Sequence, residues 1–207
     1  MHWTTNYDGK IKELELRHSP VIIRVNKFDE DSARNFANDM ARAHNTGQPI
    51  IPVIIDSYGG QVYSLMSMIS AINSSELPVA TIVEGKAMSC GVILFSCGAE
   101  GLRFITPEAT LMIHDVSSGA WGKNEEIQAS AKETKRLNKR IYEILSDNCK
   151  KPRDYFWKEV QRRGRADWFV TPKKAKKLGI ADVIGMPKLH IDVKVDINLA
   201  IPEDIDI

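Results

Sequence analysis

Among the residues of this 207-residue chain that could carry chemistry, a serine stands out first. In EGKAMSCGV (84–92), Ser89 lies between Gly85 and Gly91, after a β-branched run and before an apolar one. At a strand-to-helix turn, a serine hydroxyl meets the free N–H groups and partial positive charge of a helix N-terminus, which suits a nucleophile and the oxyanion it generates. A small residue between glycines at such a turn more commonly serves close packing, so the local pattern does not decide by itself. Gly59 and Gly60 follow the apolar run IIPVII through a short DSY turn. Glycines there let backbone N–H groups approach a reacting oxygen, although a tight turn before a helix uses the same pair. Among the five histidines, His114 follows the apolar run TLMI, while the others lie near the termini or in polar contexts. A neutral imidazole at a strand end can take a serine proton; taken singly, a histidine on an apolar strand is more commonly a hydrogen-bonded core residue. Asp167, in RADWFV, has the charge to orient an imidazole, and equally the chemistry of a helix cap or a surface ion pair.

The elements that must position these residues are legible from hydrophobic period. PVIIRV (20–25) reads as a strand, the polar residues 26–32 as a cap, and Ala33, Phe36, Ala37, Met40, Ala41 and Ala43 as one face of a helix ended by Gly47 and Pro49. IIPVII (50–55) is a continuous apolar run, the pattern of a strand buried on both faces. A helix then runs to about Ile72, a strand covers 78–85, and 89–97 forms a short apolar helix. Residues 103–116 read as strand, Pro-containing turn and strand. Asn124, with Glu125 and Glu126, opens a long helix to about Cys149 whose stripe of Ile127, Leu137, Ile141, Ile144 and Leu145 faces a surface or a partner. From Pro152 to Ile184 come a helix, the segment ADWFV, a Pro-initiated helix and a short strand; beyond Pro187, HIDVKVDINL alternates with period two, as an edge strand does. Repeated βα units predict an α/β fold with a parallel sheet, right-handed crossovers and helices on both faces. The expected organisation is an N-terminal segment (1–19), one domain (20–185) and a C-terminal extension (186–207).

Composition narrows the class. With 43% hydrophobic and 27% charged residues the chain is an ordinary globular protein, not a disordered or fibrous one. Twenty-eight Lys and Arg against 27 Asp and Glu leave a net charge of +1, with no general attraction to nucleic acid or anionic membrane. Three cysteines, Cys90, Cys97 and Cys149, are odd in number and lack metal-ligand spacing, which fits a reducing compartment and predicts a cytoplasmic protein. The N-terminus lacks a signal-peptide apolar region, and no segment approaches the roughly 18 apolar residues of a membrane span.

Taken together, four blocks resemble the proteolytic subunit of the ClpP protease family over about residues 20–185: IDSYGGQV, GKAMSCGVILF, LRFITPEATLMIH and DWFVTPKKAKKLGIAD. They come in the family order, with 29 positions from Gly60 to Ser89 and 25 from Ser89 to His114, and with Gly119 and Gly122 beyond the histidine. The resemblance implies a ClpP/crotonase-like fold with a protruding long helix. It implies a serine endopeptidase with Ser89 as nucleophile, His114 as base and acid, Asp167 as supporting carboxylate, and the N–H groups of Gly60 and Cys90 as oxyanion hole. Val62, Ser117 and Ile141 fall where the family lines its primary side-chain pocket. No metal or organic cofactor is required. The family also implies a homo-oligomeric chamber, heptameric or a tetradecamer of two stacked rings, acting on unfolded proteins or peptides, with an AAA+ unfoldase as partner. Several positions depart from the pattern: Tyr58 before Gly59, Asp115-Val116 after the histidine, Ala166 with Arg165 before Asp167, and Pro52 and Ile54 where aromatic residues help form the unfoldase cleft. The last departure predicts altered docking. Other readings that share parts of this pattern are a phage-type head-maturation or stand-alone peptidase, a non-catalytic ring subunit and a crotonase-like acyl-CoA enzyme.

Overall fold

The computed structural model describes residues 19–188 and, as backbone, two strands before them, β1 (His2–Tyr7) and β2 (Lys10–Glu15). These pair antiparallel with Tyr7 opposite Lys10. Hydrophobic period predicts nothing in this segment; the signal for a hairpin is the dipeptide Asp8-Gly9 between two runs containing aromatic and β-branched residues. The edge strand expected in HIDVKVDINL lies outside the described residues.

The main body alternates β3 (Ile23–Val25), α1 (Glu30–His44), β4 (Ile51–Ser57), α2 (Val62–Asn73), β5 (Val79–Met88) and α3 (Cys90–Ser96). It continues with β6 (Arg103–Ile105), β7 (Thr110–Ile113), α4 (Asn124–Asn148), α5 (Tyr155–Arg162), β8 (Trp168–Val170), α6 (Pro172–Leu178) and β9 (Val183–Ile184). Strands β3-β4-β5-β6-β9 form a parallel sheet around a core that includes Phe28, Phe36, Ile55, Leu65, Val83 and Phe95. This is the α/β architecture that the sequence predicts.

Three local differences have physical causes. β3 is shorter than the apolar run around it, because the next rung of the ladder is occupied by a side chain. Ile51 N donates to Pro78 O on the β5 side, so position 52 faces β3, where Pro52 has no N–H to give. Val21 is satisfied instead by Gln48, whose Oε1 accepts from Val21 N (2.8 Å) and whose Nε2 donates to Val21 O (3.2 Å). The sheet is also not wholly parallel: β8 runs antiparallel to β7. Their connection is the helix pair α4 and α5 rather than a one-helix crossover of the kind that joins β3 to β4 and β4 to β5. Finally, the α4 stripe is buried only in its C-terminal half, at Leu137, Ile141, Ile144 and Leu145, whereas Ile127 is 42% exposed because the N-terminal half stands clear of the body.

The long strand β5 organises the site. Its first half pairs with β6 (Thr81 to Val83) and its second half with β7 (Lys86 to Met88), so the two neighbours share one strand end to end. Thr106 N, in the turn between them, donates to Val83 O at 3.0 Å. β5 thereby reaches Met88, one residue short of α3.

Candidate active site

Ser89 is the single residue between β5 and α3, at φ 55° and ψ −120°. A non-glycine residue with positive φ costs on the order of 1–3 kcal/mol and persists where its surroundings impose it. Here Ser89 N donates to Met112 O of β7 (2.9 Å), and Ser89 O accepts from Val92 N (3.2 Å). Ser89 lines a cleft of about 410 Å³.

Opposite Ser89 lies the Gly59-Gly60 turn. At φ 107°, Gly59 is so close that a β-carbon on it would stand 2.7 Å from Ser89 Cβ. Gly60, at φ 152°, bridges Phe28, and Gln61 N donates to Phe28 O at 2.8 Å. Gly60 also lines the cleft. Cys90, first in α3, contributes one of the N–H groups that a helix start leaves without an internal partner. Its side chain is buried: that burial pushes the thiol up, and Sγ donates to Gly60 O at 3.3 Å. Burial likewise pushes Cys97 up to about 11 and Cys149 up to about 12.

His114 and Asp167 are set opposite each other by strand register. Ile113 of β7 pairs with Trp168 of β8, so the next residue outward on one strand faces the preceding residue on the other. His114 Nδ1 and Asp167 Oδ1 are 3.5 Å apart, with His114 26% and Asp167 53% exposed. That separation is just beyond a hydrogen bond, a spacing common in catalytic pairs without substrate. β8 is braced from behind, where Arg163 stacks on Trp168 at 4.3 Å and Trp168 packs against Phe156.

The cleft therefore unites Ser89, His114, Gly60, Cys90, Val62, Ser117 and Ile141; Asp167 stands outside it, behind His114. Sequence reasoning missed Gln61, Tyr63, Leu65, Ile93, Val116 and Leu137 in the same lining. Leu137 had a signal, since it stands one turn before Ile141 on α4. Tyr63 had none: its hydroxyl donates to Glu133 Oε1 (2.6 Å) across 70 residues, and Glu133, bonded to Arg136 and Tyr63, is held down to about 2. Among the described residues, no group of three or more His, Cys, Asp and Glu side chains is placed to hold a metal ion, and no helix is long and apolar enough to cross a membrane.

Comparison with known proteins identifies a family. The profile of the Clp protease family matches residues 10–188. The ATP-dependent Clp protease proteolytic subunit of Bacteroides thetaiotaomicron is 33% identical over 138 residues, a stretch covering 67% of this chain and 61% of that protein. A strained serine between strand and helix, a glycine turn against it and a facing histidine thus come with a family match across most of the sequence: the chain belongs to the Clp protease family.

Proposed function

We propose that this protein is a serine endopeptidase in which Ser89 attacks the peptide carbonyl, His114 moves the proton and Asp167 supports the imidazolium. The observation that carries this reading is the convergence of three independent constraints on one cleft: the positive φ of Ser89, the close Gly59-Gly60 turn and the β7–β8 register. In acylation, the Ser89 hydroxyl proton passes to His114 as Oγ bonds to the carbonyl carbon, and the oxygen that becomes negative meets the N–H groups of Gly60 and Cys90. His114 then gives the proton to the leaving amine. Water, deprotonated by His114, then bonds to the acyl carbon, the ester bond to Oγ breaks, and His114 returns the proton to Ser89. Preorganised N–H donors need no reorientation as charge develops, which is why each is worth about 10²–10³ in rate. Val62, Leu65, Ile93 and Ile141 give the cleft an apolar wall suited to an apolar substrate side chain.

The family context supports a homo-oligomeric ring, of one or two heptamers, that confines the sites to a chamber and admits unfolded chains or peptides. It also supports a cytoplasmic setting with an AAA+ unfoldase as partner. Pro52 and Ile54 are buried within the chain itself, while Phe104 is partly exposed, so we assign this protein weakened docking to a standard unfoldase. One experiment addresses the reading. Ser89→Ala abolishes hydrolysis of a fluorogenic peptide and labelling by a fluorophosphonate, whereas Cys90→Ala keeps much of both. Elimination of labelling by Cys90→Ala with retention by Ser89→Ala overturns it. In a second arm, with a bacterial unfoldase, ATP and a tagged folded substrate, peptide cleavage without processive degradation is expected; robust degradation refutes the docking assignment.

A further inference from the structure

Behind the cleft, α4 holds the segment that leaves His114 at three successive turns. Tyr142 Oη donates to Asp115 Oδ1 (2.8 Å), Val116 N donates to Asn138 Oδ1 (2.6 Å), and Ser118 Oγ bonds Thr134 Oγ1 (2.7 Å). Positions 134, 138 and 142 are spaced by four and share one helix face, so the segment is fastened along α4. Asp115 has a further neighbour. Arg165 Nη1 lies 3.8 Å from its Oδ2, and Arg165 is two residues before Asp167. Arg165 itself sits at φ 61°, with its N–H on Val160 O (3.1 Å) and its Nε on Gln161 Oε1 (2.9 Å). Asp115 is therefore the point where α4, the end of β7 and the approach to β8 meet. Burial, and then the Asp115 carboxylate, push the Tyr142 hydroxyl well above its ordinary range, so it remains a donor throughout the working range of pH.

We propose that Asp115 is a positioning residue for the peptidase reaction: by accepting from Tyr142 and facing Arg165 it sets the separation of His114 and Asp167. This rests on the peptidase reading above. The pair it governs is vulnerable, because Asp167 is half exposed and 3.5 Å from His114, and a shift of about 1 Å in a catalytic group can cost on the order of 100-fold in rate. The two ties are unequal. Tyr142 is buried and its bond is short, whereas Arg165 is 64% exposed and its pair long, so the tyrosine tie carries more of the effect.

The test uses Asp115→Ala, which removes both ties, Asp115→Asn, which keeps an acceptor for Tyr142 but no charge for Arg165, and Arg165→Ala beside Arg165→Lys. Steady-state peptide hydrolysis, fluorophosphonate labelling and mass by light scattering are read on each full-length protein. Asp115→Ala is expected to lower kcat on the order of tenfold with KM within about twofold, at unchanged mass. Asp115→Asn and Arg165→Ala should each give a smaller loss, their double variant no more than either, and Arg165→Lys should restore the wild-type rate, since a single long contact needs only a cation. Wild-type kcat in Asp115→Ala, full additivity in the double variant, or a loss of rate that tracks loss of assembled mass would each overturn the assignment. Wild-type protein that is not labelled at Ser89 instead overturns the peptidase reading, and the positioning role falls with it.

Discussion

At the scale of single residues, the glycine turn is the most sensitive part of the site. A β-carbon on Gly60 would lie 2.4 Å from Phe28 O, a backbone atom that no side-chain rotation can move, and the residue's φ of 152° already disfavours L side chains. Gly47 provides the contrast, with φ 80° but nothing within 4 Å of an added β-carbon. Gly60→Ala should displace the N–H donor and reduce peptide hydrolysis by about 100-fold or more, and it should also lower the melting temperature. Gly47→Ala should cost about 1–2 kcal/mol through its backbone conformation and leave kcat unchanged. Thermal melts and peptide kinetics on the two variants check both statements; equal kinetics would remove Gly60 from the site.

At the scale of elements, the C-terminal part of the fold is joined through one guanidinium. Arg103 of β6 is buried; its Nε and Nη2 donate to Asp182 (2.9 and 2.5 Å) and its Nη1 to Asn148 O and Gly179 O, at the C-terminal ends of α4 and α6. A cation at two helix C-termini answers their unpaired carbonyls. Removing one partner of such a pair leaves the other uncompensated, so Arg103→Ala should destabilise by about 3–5 kcal/mol in urea titrations. Burial raises the Asp182 carboxyl, but the Arg103 hydrogen bonds outweigh it and leave the group below its ordinary value. A depressed carboxyl stabilises fully above the unfolded value near 4 and loses that contribution as pH falls through the folded value. The urea midpoint should therefore drop on acidification below about pH 4, and less so in Asp182→Asn. This clamp joins positions 79 residues apart, which explains why it was invisible in the sequence. Local period located α4 from Asn124 to its last turn and the strand-to-helix step at Ser89. It could not show that Gln48 shortens β3, that β8 runs antiparallel, or that Asp115 meets Tyr142, because each depends on partners far along the chain. Ser89, His114 and Asp167 stood out only through the spacing of whole sequence blocks; Tyr63 and the backbone twist of Ser89 had no signal.

At the scale of the molecule, a single chain leaves apolar surface where it encloses nothing. Trp121, between the His114 segment and α4, is fully exposed, and Ile127 on the free half of α4 is 42% exposed. The same half carries Glu125, Glu126, Lys132 and Lys135, a charge pattern that a second α4 can answer. Burying a tryptophan removes roughly 200 Å² from water, about 5 kcal/mol gross before the costs of association. That is enough for Trp121 to anchor contact between copies, with the polar residues around it setting register. Light scattering at micromolar concentration should give a mass many times the 23.2 kDa of one chain. Trp121→Ser should shift the distribution toward smaller species and reduce cleavage of an unfolded protein more than cleavage of a short peptide, since a short peptide has less need of a closed chamber. A strict monomer that degrades unfolded protein at the full rate would refute the chamber. An unchanged assembly in Trp121→Ser would move the contact to another face.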